Sequence, residues 1–173
     1  MGRSATDLVL HSCSGDELSP RQEGNLVAAV KAGTGFAGWH GGVIGTNVRN
    51  ADYLRMVGGR SLWHREGFQE FTVRIVAIPD RDGVITKGIE DYDVVTEHDW
   101  VLTDAHNSVL AASVLVPETI DAWDVPVEFP VVWTRRWGVG RVFVCTLGHR
   151  FADLEVPQTA TMVGRGLTWA ART

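Results

Sequence analysis

Gly33-Thr34-Gly35-Phe36-Ala37-Gly38-Trp39-His40-Gly41-Gly42 is the stretch on which the fold turns. Residues 36–39 are too few for a helix and too apolar for a surface loop, so they read as a buried strand. Gly41 and Gly42 permit backbone angles that a side chain forbids. A strand ending in a sharp, glycine-flanked turn lifts one side chain above the sheet edge, as in the elbow that presents the serine of α/β-hydrolases. The lifted residue here is His40. This stretch alone fits equally a functional imidazole and a buried one bonded to backbone.

Working outward, residues 7–11 read as a short strand. Ser19-Pro20-Arg21-Gln22 starts a helix: Ser19 caps, Pro20 suits the first helical position, and Gln22 reaches back to complete a capping box. Leu26, Val27 and Val30 give that helix one apolar face, and Gly33 is placed to end it. Strand, helix and strand within forty residues predict a parallel βαβ unit with a right-handed crossover. Residues 52–57 read as a short helix stopped by Gly58-Gly59, and Ser61-Leu62-Trp63-His64 approaches a second histidine. Strands are expected at 71–76, 92–96 and 109–116, with a turn at 79–83 and a polar knot at Glu97-His98-Asp99-Trp100. Residues 117–130 read as a loop carrying Trp123. Residues 131–134 and 141–146 flank Trp137-Gly138-Val139-Gly140 as a hairpin, which leads into Leu147-Gly148-His149-Arg150. Residues 157–171 close the chain as a helix. No repeat, low-complexity segment or linker interrupts residues 1–173, which read as one domain.

Bulk properties narrow the function classes. Hydrophobic content of 45% and charged content of 21% suit a globular protein with a real core. A net charge of −5 leaves no basic footprint for nucleic acid. No apolar run is long enough to span a membrane, and no secretory leader is expected after Arg3. Cys13 and Cys145 cannot build a disulfide framework, and the expectation is a cytoplasmic protein with reduced thiols. Seven tryptophans are many for 173 residues, enough for some to line a pocket as well as fill the core.

Three histidines stand out by position. His40 and His149 follow strand-like segments and precede turns, and His64 follows an apolar step. In an open α/β sheet, ligands bind in the crevice beyond the carboxyl ends of the strands. Glu97 also ends a strand-like run. Three imidazoles and a carboxylate make a first shell for a divalent metal such as zinc. The bland reading of each histidine is a hydrogen-bonded structural residue. His11, His98 and His106 receive no role.

The ordered series now resembles a known family. The 33–42 stretch is followed by Asp52-Tyr53-Leu54, Val57-Gly58-Gly59 with His64, Ile85-Thr86-Lys87-Gly88-Ile89, and Thr96-Glu97. Then come Pro130-Val131-Val132-Trp133, Trp137-Gly138-Val139-Gly140-Arg141-Val142-Phe143, Leu147-Gly148-His149 and Gly166-Leu167-Thr168-Trp169-Ala170. In order and spacing this resembles the ThuA-like family, named for trehalose utilisation, from about residue 7 to 169. The resemblance implies an α/β three-layer sandwich with a mostly parallel sheet, like class I glutamine amidotransferases and flavodoxin. An amidotransferase places its cysteine nucleophile where His40 stands and pairs it with a histidine and a glutamate. Here His149 is followed by Arg150 and Phe151, with no adjacent glutamate, and neither cysteine is placed for attack. Glutaminase activity is therefore not expected.

Two departures accompany the resemblance. Family members begin with a further strand and helix before the segment at residue 7, so the domain reads as N-terminally shortened. That shortening implies exposed apolar surface beside residues 7–11 and a homo-oligomer. The family also often has His-Pro between its Gly-Gly-Arg and Ile-Thr steps, where this chain has His64-Arg65 and Gly83-Val84.

The resulting expectation is a protein of carbohydrate catabolism acting on a sugar or keto-sugar. Its catalytic residues would be His40, Glu97 and His149, its metal ligands His40, His64 and His149, and its sugar-stacking rings Trp39, Trp63 and Trp100. The alternative is a non-catalytic sugar-binding or protein-interaction module on an inherited fold.

Overall fold

The computed structural model describes residues 6–12, 17–76 and 83–172. Cys13 and most of the turn expected at 79–83 lie outside them. The chain opens with β1 (Leu8–His11), α1 (Pro20–Lys31) and β2 (Gly35–Trp39). Ser19 accepts from the Gln22 amide, and the Gln22 side chain accepts from the Ser19 amide, so the capping box is present. β1 and β2 are parallel neighbours, with Leu8 opposite Gly35 and His11 opposite Gly38. The expected βαβ unit is therefore formed.

After β2 come α2 (Gly41–Ile44), α3 (Ala51–Val57), β3 (Gly59–His64) and β4 (Gln69–Ile75). α4 (Gly83–Thr86), β5 (Tyr92–Thr96), β6 (Asp99–Thr103), β7 (Ser108–Leu115) and β8 (Val127–Trp137) follow. β9 (Gly140–Cys145), α5 (Phe151–Glu155) and α6 (Pro157–Ala170) complete the chain. Seven strands form one sheet in the order β1-β2-β9-β8-β7-β4-β5, and β3 pairs with β6 in a separate two-stranded ribbon.

The sheet is mixed and mostly antiparallel, which corrects the expectation of a mostly parallel one. Only β1–β2 and β2–β9 are parallel; β9–β8, β8–β7, β7–β4 and β4–β5 are antiparallel. The reason is loop length. A parallel neighbour needs a crossover of a dozen or more residues, whereas the two residues between β8 and β9 can only reverse the chain. A second correction concerns residues 127–130, which belong to β8 and not to a loop. Pro130 sits opposite Ala112, where the register with β7 shifts, so its missing N–H falls at an irregular step of the ladder.

Helices cover both faces, as a three-layer sandwich requires. Ala37, Phe143 and Cys145 share one core with Met162 and Val163 of α6. Their strand neighbours Phe36, Val142 and Val144 share the other with Val30 of α1 and Met56 of α3. This alternation is the period of two expected of strands buried on both faces. Gly166 lets α6 approach closely, since a Cβ there would lie 2.3 Å from the Phe143 ring. β1 forms one edge of the sheet, and Leu10 on it is 49% exposed.

Candidate functional site

His40 follows β2 directly and has φ 47° and ψ −150°, close to a backbone region that is almost reserved for glycine. The elbow is real, but its unusual angles fall on His40 itself. Gly41 and Gly42 instead enter α2, with no positive φ. The elbow is pinned on both sides. The His40 amide donates to Cys145 O at the end of β9 (2.8 Å), and His40 O accepts from the Val43 and Ile44 amides. Gly38 makes the approach possible, because a Cβ there would lie 2.4 Å from His11 O.

His149 is delivered by the turn after β9. Gly148 has φ 113°, and a Cβ on it would meet Trp39 and Leu154. Glu97 comes from the far side, directly after β5. Its Oε2 lies 3.2 Å from His40 Nε2 and 3.1 Å from His149 Nδ1, and those two nitrogens are 3.1 Å apart. The three atoms form a nearly equilateral triangle. His64 reaches only its rim: Nε2 is 4.0 Å from Glu97 Oε1, and Nδ1 lies 2.9 Å from Arg65 O.

Tautomer logic sets what the triangle can hold. His40 Nδ1 lies 3.1 Å from Thr146 O, and a carbonyl can only accept, so Nδ1 carries the hydrogen. In the neutral ring, Nε2 then presents a bare lone pair beside a carboxylate oxygen. Either a proton on His149 or a cation at the centre satisfies all three groups. Ligand atoms about 2.0–2.1 Å from a tetrahedral zinc lie about 3.3–3.4 Å apart, close to the observed spacing. A ring N–H held by a backbone carbonyl is also the usual outer support of a metal-bound histidine. The three residues thus fit a divalent ion.

One residue that sequence reasoning missed braces this arrangement. Asp153, buried in α5, accepts from the Arg150 amide (2.9 Å), the Arg150 guanidinium (3.0 Å) and Thr96 Oγ1 (2.7 Å). Arg150 also donates to Val95 O (2.6 Å). Asp153 therefore ties the residue before Glu97 to the residue after His149. Burial pushes its carboxyl pKa up, but the hydrogen bonds from Arg150 and Thr96 outweigh this and hold it below the ordinary value. The available signal was the Arg150-x-x-Asp153 spacing at a helix start.

Asp99 is a second missed neighbour. It faces His64 across the β3–β6 ribbon, accepts from Ser61 Oγ (2.6 Å), and is 6% exposed. Burial raises its pKa, while the Ser61 hydrogen bond, His40 and His64 pull the other way.

The predicted aromatic platform is not assembled around the triangle. Trp63 and Trp100 are paired on the ribbon and pack against Trp123, with ring centroids 6.0 and 4.9 Å away. Successive strand residues face opposite ways, so these rings turn from the face that carries His64 and Asp99. Trp39 packs on the core beneath Gly148. The ring that does touch the site is Phe68, 5.5 Å from His149 and capped by the Arg150 guanidinium at 3.9 Å. Side-chain exposures of 38% for His149 and 42% for His64 leave the site open. A cleft of about 560 Å³ lies elsewhere and includes none of these residues.

Cys145 is the only free cysteine among the described residues. It is fully buried, and burial pushes its thiol up to about 12. It is no nucleophile, and a histidine holds the elbow.

The fold and site together define an α/β protein whose mixed seven-stranded sheet carries a histidine–carboxylate cluster beyond the carboxyl ends of β2, β5 and β9. The trehalose utilisation (ThuA) family description matches residues 4–170, and the chain belongs to that family. Among solved structures, a putative ThuA-like protein from Parabacteroides merdae superposes with TM-score 0.73 at 17% identity, over 98% of this chain and 72% of that one. A cytoplasmic protein from Salmonella typhimurium LT2 gives 0.69 at 16% identity, over 96% and 72%. A β-galactosidase from Rahnella sp. R3 gives 0.62 at 14% identity, over 96% of this chain but only 23% of its own. At these identities the likenesses show fold alone. No curated protein sequence matches significantly.

Proposed function

We propose that this protein processes a sugar or keto-sugar at the His40–Glu97–His149 triangle, with a divalent metal such as zinc bound there. Membership of the trehalose utilisation family supports a carbohydrate-related role. The observation that carries the finer reading is the triangle itself: three ligand atoms, from segments far apart in sequence, 3.1–3.2 Å from one another. A bound divalent ion would polarise a substrate carbonyl or hydroxyl oxygen. His40 and His149 would hold it, with His64 at the rim. Glu97 Oε1, turned away from the triangle towards His64, is the candidate proton acceptor. Thr146 O fixes the His40 ring through Nδ1, and Asp153 fixes the segments carrying Glu97 and His149.

The setting we propose is cytoplasmic. No helix among the described residues is long and apolar enough to cross a membrane. Self-association would use the free edge of β1, where Leu10 is exposed. The test of function is metal content and calorimetric zinc and manganese binding on tag-free protein, followed by turnover assays on a panel of keto-sugars with and without chelator. Metal-dependent turnover that His149→Ala abolishes supports the proposal. Sugar binding with no turnover under any metal favours a second reading, a sugar-binding module. That reading draws on the β-galactosidase, where the same fold is about a quarter of a larger chain.

A further inference from the structure

The cleft apart from the histidine triangle lies at the opposite end of β9 from His40. β9 begins at Gly140, beside the Trp137–Gly140 turn, and ends at Cys145, whose carbonyl holds the His40 amide. The cleft has a volume of about 560 Å³ and is lined by Arg55, His106, Arg135, Arg136, Trp137 and Trp169, with Asp104 and Ser108 completing it. Three guanidinium groups line it with one carboxylate, and Asp52, outside the lining, pairs with Arg55 (3.2 Å), which still leaves the cavity cationic in a chain whose net charge is −5.

Its donors are held ready. Arg135 is 8% exposed and donates through Nη1 to Asp104 Oδ2 (2.8 Å) and Asn107 Oδ1 (3.1 Å), yet its Nε has no partner. Trp137 Nε1 is likewise without a partner. Both atoms are sealed beneath the surface, so the groups that can meet a ligand in the cleft are the guanidinium ends of Arg55, Arg135 and Arg136. Gly58 makes room for the buried guanidinium: with φ 86°, it would place a Cβ 2.3 Å from Arg135 Nη1. Arg136 has no ion-pair partner among the described residues. Arg55 lies over the Trp137 ring at 5.6 Å and donates to Asp52 Oδ1 (3.2 Å), which together hold its guanidinium at the wall of the cleft.

We infer that this cleft binds the oxyanion of a small ring-bearing molecule, a sugar acid or a sugar phosphate. Arginine forks match carboxylate and phosphate oxygens in paired hydrogen bonds, and an indole face receives the apolar side of a ring. The site is separate from the histidine triangle and does not depend on the function proposed for it.

Isothermal titration of the full chain with glucuronate, glucose 6-phosphate, inorganic phosphate and uncharged glucose tests this. At least one of the two ring anions should bind, and their relative affinity tells carboxylate from phosphate recognition. Either ring anion should bind more tightly than inorganic phosphate, and glucose should not bind at this cleft. Arg136→Ala, at an exposed position that leaves the core intact, should weaken binding about tenfold, and Arg55→Ala should weaken it further. His149→Ala should leave it unchanged. No binding of either ring anion at millimolar concentration overturns the inference. So does equal affinity in Arg136→Ala, or loss of binding in His149→Ala alone.

Discussion

His40 Nε2 and His149 Nδ1 stand 3.1 Å apart with their rings edge to face, beyond the carboxyl ends of the adjacent parallel strands β2 and β9. Two imidazoles rarely approach so closely without a proton or a cation between them. Glu97 supplies the compensating carboxylate from β5 at the far edge of the sheet.

The elbow gives a prediction that is independent of any ligand. Glycine in an ordinary strand or helix is less stable than alanine by about 0.5–1 kcal/mol. At position 40 the order should reverse, because the φ and ψ observed there strain any side chain by about 1–3 kcal/mol. His40→Gly should therefore melt higher than His40→Ala. The opposite order in thermal denaturation would mean that the elbow is not strained.

Asp153 should behave as a brace. Asp153→Ala leaves the Thr96 hydroxyl and the Arg150 amide without their acceptor, at a cost of about 2–3 kcal/mol. Metal affinity should fall as well, by about 10–100-fold, as for other outer supports of metal ligands. Unchanged affinity in a folded variant would show that Asp153 serves only α5.

His98 sets a pH dependence of stability. It is buried, stacks on Phe71 at 3.9 Å, and lies 2.8 Å from Ser113 Oγ. Burial first, then Arg65, lower its pKa from 6.5 to about 4. Between these values the unfolded chain takes up a proton that the folded one refuses, so stability falls as pH drops through 6.5 and levels off below about 4. The loss at pH 5 is about 2 kcal/mol. His98→Gln should flatten the stability profile between pH 7.5 and 5 by about that amount. An unchanged slope would place the titrating group elsewhere.

Self-association is expected through β1. Multi-angle light scattering should show a dimer or larger species, and Leu10→Lys on the exposed edge should shift it towards monomer. A monomer across the accessible concentration range would remove the free edge from the account.

Much of this arrangement was legible in the sequence. The βαβ start followed from the Ser19 capping box and the apolar run at 36–39. The hairpin followed from Trp137-Gly138-Val139-Gly140. The convergence of His40, Glu97 and His149 was expected from strand ends, and His149 in fact sits in the turn after β9. Sheet direction was obscured because family resemblance outweighed a local signal: the β8–β9 hairpin already required an antiparallel pair. Trp63 and Trp100 were placed by sequence proximity to His64 and Glu97, which ignores the alternation that turns neighbouring strand side chains apart. Asp153 and Phe68 were missed because their roles depend on contacts with segments distant in sequence.

The central claim is that the triangle is a metal site, and calorimetric titration of tag-free, chelator-treated protein with zinc tests it most directly. One ion per chain should bind, and His40→Ala and His149→Ala should each abolish binding while leaving the far-ultraviolet circular dichroism unchanged. Stoichiometric binding that survives both substitutions, or no binding by the native chain, would contradict it.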